Sequence, residues 1–268
     1  MSVAKSAKIA HTAIIEEGAI IGESVEIGHY CVIGKDVKIG KGCKLYNHVT
    51  ILGNTTLGER NEIFPNATLG TKPQDLKYHD EPNELIFGDY NKIREFTMIN
   101  PGTEGGGGKT IIGSNNLLMA YVHIAHDCIV GDSCILANGA TLGGHIVLGS
   151  HINVGGLTPI HQFVKVGDYA MIAGASALSQ DIPPFCMAEG NRAVVRGLNL
   201  HRLRKHFEHH EVDRIHNAYK RLFFGNAPIK EIAQEILDEG VKDANVKKMC
   251  EFIIQSTRGI PFTRKSNE

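Results

Sequence analysis

The stretch IGESVEIGHYCVIGKDVKIGKGCKLYNHVTIL, residues 21–52, puts an aliphatic residue at every sixth position: Ile21, Ile27, Ile33, Ile39, Leu45 and Ile51. Working outward, the ruler reaches back to Ile15 and Ile9 and forward to Leu57, Ile63 and Leu69. It resumes at Phe87, Ile93 and Ile99, and then runs by sixes from Ile112 to Leu178, for 26 positions in all. Two residues before each of the first eleven, Ile9 to Leu69, stands a small or medium residue such as Ala19, Val25, Cys31 or Val37, with polar Asn61 as the exception. Glycine often follows the aliphatic residue, at Gly22, Gly28, Gly34, Gly40, Gly58 and Gly70. A helical period of 3.6 cannot produce this pattern, and simple strand alternation does not reset every six residues. The pattern reads as a parallel β-helix. Each hexad makes one short strand and a turn, and three hexads make a triangular coil. The aliphatic residue points inward, the small one lies near the corner, and glycine relieves the turn. Coils stack about 4.8 Å apart, so 26 hexads give eight to nine coils and a stack roughly 40 Å tall.

Two polar, Gly- or Pro-bearing segments interrupt the ruler: TKPQDLKYHDEPNEL at 71–85 and NPGTEGGGGKT at 100–110. Both are expected to be loops leaving the prism, where a solenoid tends to place function. The ruler stops at Pro183-Pro184. Beyond it, segments 197–207, 211–224, 227–240 and 245–257 carry apolar residues at three-to-four spacing, with Pro228 at a first helical turn and Gly240 at a helix end. The expected organisation is a β-helix over 1–189 and an α-helical domain over 190–268. The helical domain would cap one end of the coil, which otherwise exposes unpaired backbone groups.

Lys and Arg number 28 against 29 Asp and Glu, which argues against a wholly basic nucleic-acid binder. Residues 1–189 carry 13 basic and 19 acidic residues, net −6; residues 190–268 carry 15 and 10, net +5. A basic end suits docking of an acidic partner. No apolar run approaches the roughly 18 residues of a membrane span, and the start MSVAKSAKIA has no apolar signal core. A cytoplasmic protein without an integral membrane segment is expected. Of the six cysteines, Cys31, Cys43, Cys128 and Cys134 sit at the small position of the ruler, and no CxxC occurs, which fits packing roles in a reducing compartment.

Residues eighteen apart stack on successive coils. His126 therefore faces Gly144, beside His145, with Asp127 adjoining it and His123 three residues before it. His161 and Gln162 fall near the next coil. A neutral imidazole is the natural general base near pH 7, a carboxylate fixes its tautomer, and a glycine N–H can receive an oxyanion. The cluster reads as a base that deprotonates a hydroxyl or amine attacking an acyl carbonyl. A zinc site from His123, His126 and His145 is the competing reading. There is no P-loop; the run Gly105–Gly108 is either a phosphate cradle or a flexible lid.

The segments NLLMAYVHIAHDCIVG (116–131), ANGATLGGH (137–145), HQFVKVG (161–167) and QDIPPF (180–185) resemble the UDP-N-acetylglucosamine O-acyltransferase family, as do QDLKY (74–78), GDYNKIRE (88–95) and STRG (256–259). The resemblance implies left-handed coils and the first acylation of lipid A biosynthesis. It implies His126 as general base on the glucosamine 3-hydroxyl, Asp127 as its orienting partner and Gly144 N–H as oxyanion donor. Gln74, Asp75, Lys77, His123, His145, His161 and Gln162 would surround the sugar nucleotide or donor. Gly174 would let a long 3-hydroxyacyl chain run on, Asn199 would contact the nucleotide, and Arg204 and Lys205 would meet phosphate. The family is a homotrimer with sites between subunits, needs no cofactor or metal, and takes its acyl chain from acyl carrier protein. The run 192–205 holds five basic residues and no acid, which suits that carrier. His201 departs from the glutamate common in the family, and the basic cluster after it is one residue shorter. N-acylation of a UDP 3-amino sugar is the alternative reaction.

Overall fold

A hexad has room for a strand of only two residues, the first facing out and the second in, as in Glu26–Ile27, Lys38–Ile39 and Lys44–Leu45. Each pairs in parallel with its equivalent one coil away, Ile27 against Leu45 and Ile33 against Ile51. The computed structural model describes residues 2–263. Its strands form three sheets of nine, eleven and eight strands, the faces of a parallel β-helix. The inward Ile, Leu and Val side chains fill the prism. Ser2–Val3 pairs with Ile20–Ile21, so the ruler begins one hexad before Ile9. The coils therefore number nine with a partial tenth at Ile182, which bridges to Val166, rather than eight to nine. Val3 lies on the end coil and is 36% exposed, unlike the buried ruler residues of the later coils.

The glycine directly after the aliphatic residue is not what relieves the corners, although Gly18, Gly42 and Gly139 do occupy corner positions with positive φ. At most coils the corner residue, three after the aliphatic one, is left-handed without being glycine, with φ near +60° at Tyr30, His48, Tyr121, Asp127 and His145. The glycine directly after the aliphatic residue answers to a different demand. A Cβ on Gly40 would stand 2.4 Å from the Gly58 carbonyl oxygen, so stacked coils approach too closely for a side chain there.

Both insertions leave the prism at one corner, after the strands Thr68–Leu69 and Met98–Ile99. They rejoin at Glu84–Phe87 and Lys109–Ile112, which pair with each other. Two loops thus arch over the corner that His126 occupies on the next coil. After the last coil, Cys186–Glu189 forms an antiparallel hairpin with Val194–Leu198. The pairing pins Gly197 in a strand, so the helix expected from 197 starts instead at Leu200. Four helices follow: α1 (Leu200–His206), α2 (His209–Phe224), α3 (Ile229–Asp238) and α4 (Ala244–Gln255). Asn199 caps α1, a Glu208–Glu211 capping box starts α2, and Asp243 caps α4. The chain then returns to the coil end, where the Ser256 hydroxyl donates to Asp181 at 2.6 Å. All six cysteines are free and buried. Among the described residues no helix is long and apolar enough to cross a membrane.

Candidate active site

His126 follows the strand His123–Ile124 and is 5% exposed. Its Nδ1 lies 2.7 Å from Asp127 Oδ2. With the proton on Nδ1 donated to the carboxylate, Nε2 keeps its lone pair. A Cβ on Gly144 would stand 2.9 Å from that Nε2, so only glycine leaves the ring its place. The Gly144 N–H makes no hydrogen bond among the described residues. The stacking arithmetic of the sequence thus holds: imidazole, carboxylate and glycine backbone meet across one coil step.

Asp127 takes the left-handed corner position, and its side chain has no solvent exposure. Its oxygens are used from several sides. Oδ1 accepts the Thr103 N–H at 2.8 Å, and Oδ2 accepts the Thr103 hydroxyl at 2.6 Å besides the His126 ring. Burial pushes the carboxyl pKa up, but these hydrogen bonds outweigh it and hold the group below the usual carboxylate value. Gly106 lies directly over it; a Cβ there would come within 1.9 Å of the carboxylate carbon. The glycine run therefore closes over the dyad. Neither Thr103 nor the reach of this loop was legible in the sequence, because an insertion has no period to place it.

His145 stands edge-on to His126, with ring centroids 5.1 Å apart, and stacks on Phe163 at 4.4 Å. Burial lowers its pKa, against the pull of Asp127. Burial likewise lowers His123, whose Nδ1 lies 3.2 Å from the Met98 carbonyl oxygen. Gln74 reaches the same rung, its Nε2 3.7 Å from Met98 Sδ. A cavity of about 360 Å³ opens beside His145 and Phe163, lined by Asp75, Lys77, His79 and Glu81 of the first insertion and Thr103, Glu104 and Gly105 of the second. His79, Glu81, Glu104 and Phe163 are additions to the expected set. On the next coil Gln162 packs over Gly143, and exposed His161 lies 3.4 Å from Arg258.

The remaining expected residues lie elsewhere on the chain. Gly174 follows Met171–Ile172, at a different corner from the His126 column. Asn199 is nearly buried: its amide donates to the Tyr169 carbonyl, and its oxygen accepts from the Arg202 N–H. Its side chain is thus engaged in capping α1. Arg204 and Lys205 are exposed in the last turn of α1. For the zinc reading, His123 does not join the others. The donors that come within 4.8 Å of one another are His126, Asp127 and His145. Asp127 already accepts three hydrogen bonds, so a cation there would displace the Thr103 hydroxyl and the His126 proton.

The coil and its repeat define the class, the hexapeptide-repeat transferases; the family profile described as "Bacterial transferase hexapeptide (six repeats)" matches residues 18–53 and 109–144. A second profile, "Udp N-acetylglucosamine O-acyltransferase; Domain 2", matches 181–261. The protein of Aliarcobacter butzleri named acyl-[acyl-carrier-protein]--UDP-N-acetylglucosamine O-acyltransferase is 57% identical over 95% of this chain and 98% of its own. The one of Helicobacter acinonychis is 58% identical over 97% and 96%. The solved UDP-N-acetylglucosamine acyltransferase of Campylobacter jejuni superposes with a TM-score of 0.92 at 51% identity, covering 96% of this chain and all of that one. The chain belongs to the acyl-[acyl-carrier-protein]--UDP-N-acetylglucosamine O-acyltransferase family.

Proposed function

We propose that this protein transfers a 3-hydroxyacyl chain from acyl carrier protein to the 3-hydroxyl of the glucosamine ring in UDP-N-acetylglucosamine, the first step of lipid A biosynthesis. The observation that carries this is the His126–Asp127 pair, 2.7 Å apart, set against Gly144 on the next coil beside the cavity. His126 Nε2 takes the proton of the sugar hydroxyl as its oxygen attacks the thioester carbon. Asp127 stabilises the imidazolium formed. The unpartnered Gly144 N–H is the donor for the tetrahedral oxyanion. Collapse breaks the carbon–sulfur bond, and the imidazolium returns the proton to the departing carrier thiolate. The lowered pKa of His145 keeps it neutral near pH 7, so it adds no cation beside the base.

Asp75 and Lys77, on the cavity wall, together with Gln74, His123, His161 and Gln162, are assigned to substrate contacts. Gly174, Asn199, Arg204 and Lys205 would join the site from a neighbouring copy in a homotrimer. The acidic carrier would dock on the basic run 192–205, and the enzyme would work in the cytoplasm, where that carrier is loaded.

The test is acyl transfer from acyl carrier protein thioesters of several chain lengths to the 3-hydroxy sugar nucleotide and to its 3-amino analogue. Transfer to the 3-hydroxy sugar is expected, and His126→Ala should lower kcat at least about a hundredfold with the fold retained. Sustained activity in that variant overturns the base assignment, and preference for the amine overturns the O-acyl assignment.

A further inference from the structure

The geometry points to Thr103 as a positioning residue for the dyad, through which the second insertion fixes the catalytic carboxylate. This inference rests on the general-base reading above. Thr103 is buried and grips both carboxylate oxygens of Asp127, its N–H on Oδ1 at 2.8 Å and its hydroxyl on Oδ2 at 2.6 Å. Oδ2 is the oxygen that faces His126 Nδ1. The main chain of Asp127 is held as well, since its N–H donates to the Thr110 hydroxyl, where the same insertion rejoins the coil. Gly106 closes over the carboxylate with no room for a side chain.

The loop is itself held in place. Thr103 O accepts the N–H groups of Gly106 and Gly108 at 3.0 and 2.8 Å, which curls the glycine run into a tight turn. Glu81, from the first insertion, accepts the Glu104 N–H at 3.3 Å and the His79 N–H at 2.7 Å. A continuous set of contacts therefore runs from the wall of the cavity, through Glu81 and Glu104, to Thr103, Asp127 and His126. Thr103 touches no reacting atom in this scheme. It holds Asp127 so that the imidazole keeps its proton on Nδ1 and its lone pair on Nε2.

Two effects separate this role from simple packing. A carboxylate that loses a hydrogen bond to a charged acceptor loses orientation, which lowers kcat without touching substrate contacts. The Thr103 hydroxyl also shares Oδ2 with the imidazolium. Without it, the full charge of that oxygen falls on His126, and the imidazolium form is favoured. His145, whose Nδ1 lies 3.8 Å from Oδ2, faces the same oxygen and feels the same change, and His123 is the other imidazole that acts on His126.

The experiment compares wild type, Thr103→Val, Thr103→Ser and His126→Ala by steady-state kinetics across pH, with thermal melting of each. Thr103→Val should lower kcat about tenfold or more, with KM for the sugar nucleotide within about twofold. The acid limb of its kcat/KM profile should move to higher pH, and Thr103→Ser should restore both. Glu81→Ala should lower kcat in the wild-type background and have little further effect in the Thr103→Val background. A Thr103→Val enzyme with wild-type kcat and acid limb overturns the inference. So does a parallel loss of activity and melting temperature in both the Val and Ser variants. If His126→Ala keeps its activity, the base reading fails instead, whatever the Thr103 variants do.

Discussion

Asp127 and His145 sit at left-handed corners eighteen residues apart, and that spacing is why the dyad could be read before the fold was seen. In a stacked coil, sequence distance converts directly into neighbourhood. The periodic residues His126, Gly144 and His145 were therefore legible, while Thr103 and Glu81, on loops without period, were not. The same burial that arranges these rings has a thermodynamic consequence. His123, His145 and His151 all have pKa values lowered mainly by burial. The unfolded chain, with imidazoles near 6.5, then binds more protons than the folded one in mildly acid solution. Their contribution to stability is fully present above about 6.5 and declines as pH falls through the window between that value and the lowered folded values. We expect the melting temperature to drop between pH 7 and pH 5, and to drop less in His123→Asn. A melting temperature that rises on acidification, or an unchanged slope in the variant, would contradict this assignment.

Asn61, the polar exception among the first eleven small positions of the ruler, is the start of a buried ladder that continues at the same ruler position in Asn91 and Asn116. Asn61 Oδ1 accepts the Asn91 N–H at 2.9 Å, Asn91 Oδ1 accepts the Asn116 N–H at 2.9 Å, and Asn116 Oδ1 accepts the Cys134 N–H at 2.7 Å. The Asn91 amide donates to the Gly113 carbonyl at 2.9 Å. Steps along this ladder are 30 and 25 residues where the insertions intervene, and 18 beyond them. Side-chain amide oxygens that accept backbone N–H groups thus bridge the coils that the repeat alone does not space evenly. Periodicity marked the interruptions but not the device that spans them, because the amides stand thirty and twenty-five residues apart. Asn91→Leu leaves the Asn116 N–H and the Gly113 carbonyl without partners, at a cost of about 2–4 kcal/mol. Urea unfolding of the variant checks it, and a loss under about 1 kcal/mol would show the ladder to be incidental.

Across the whole molecule, the residues assigned to substrate do not converge within one chain. The His126 column follows strands of the eight-stranded sheet, Gly174 follows one of the eleven-stranded sheet, and Asn199 is tied to Tyr169, beyond a strand of the nine-stranded sheet. In the homotrimer proposed above, copies standing side by side about a common axis would bring corners of adjacent chains to face one another. Sedimentation equilibrium should accordingly give three times 29.2 kDa. A monomer that is fully active would remove the reason for placing Gly174, Arg204 and Lys205 in the site. Architecture was legible at this scale because 26 positions repeat one instruction. Assembly is not legible in the period, since a single repeat carries no information about neighbours in other chains.

The two ends of the stack are unequal. Ile9 and Ile15 on the first coil are only half-buried and Ile14 is 60% exposed, whereas the last coil lies under the hairpin and helices. Each coil leans only on the ones above and below, so opening propagates as a front rather than as a collapse of the whole. Unzipping therefore starts at the amino-terminal tip and works toward the catalytic layer. The five coils beneath His126 act as a sacrificial length, and amide exchange along the axis would form a gradient, quickest at residue 9 and slowest past residue 124.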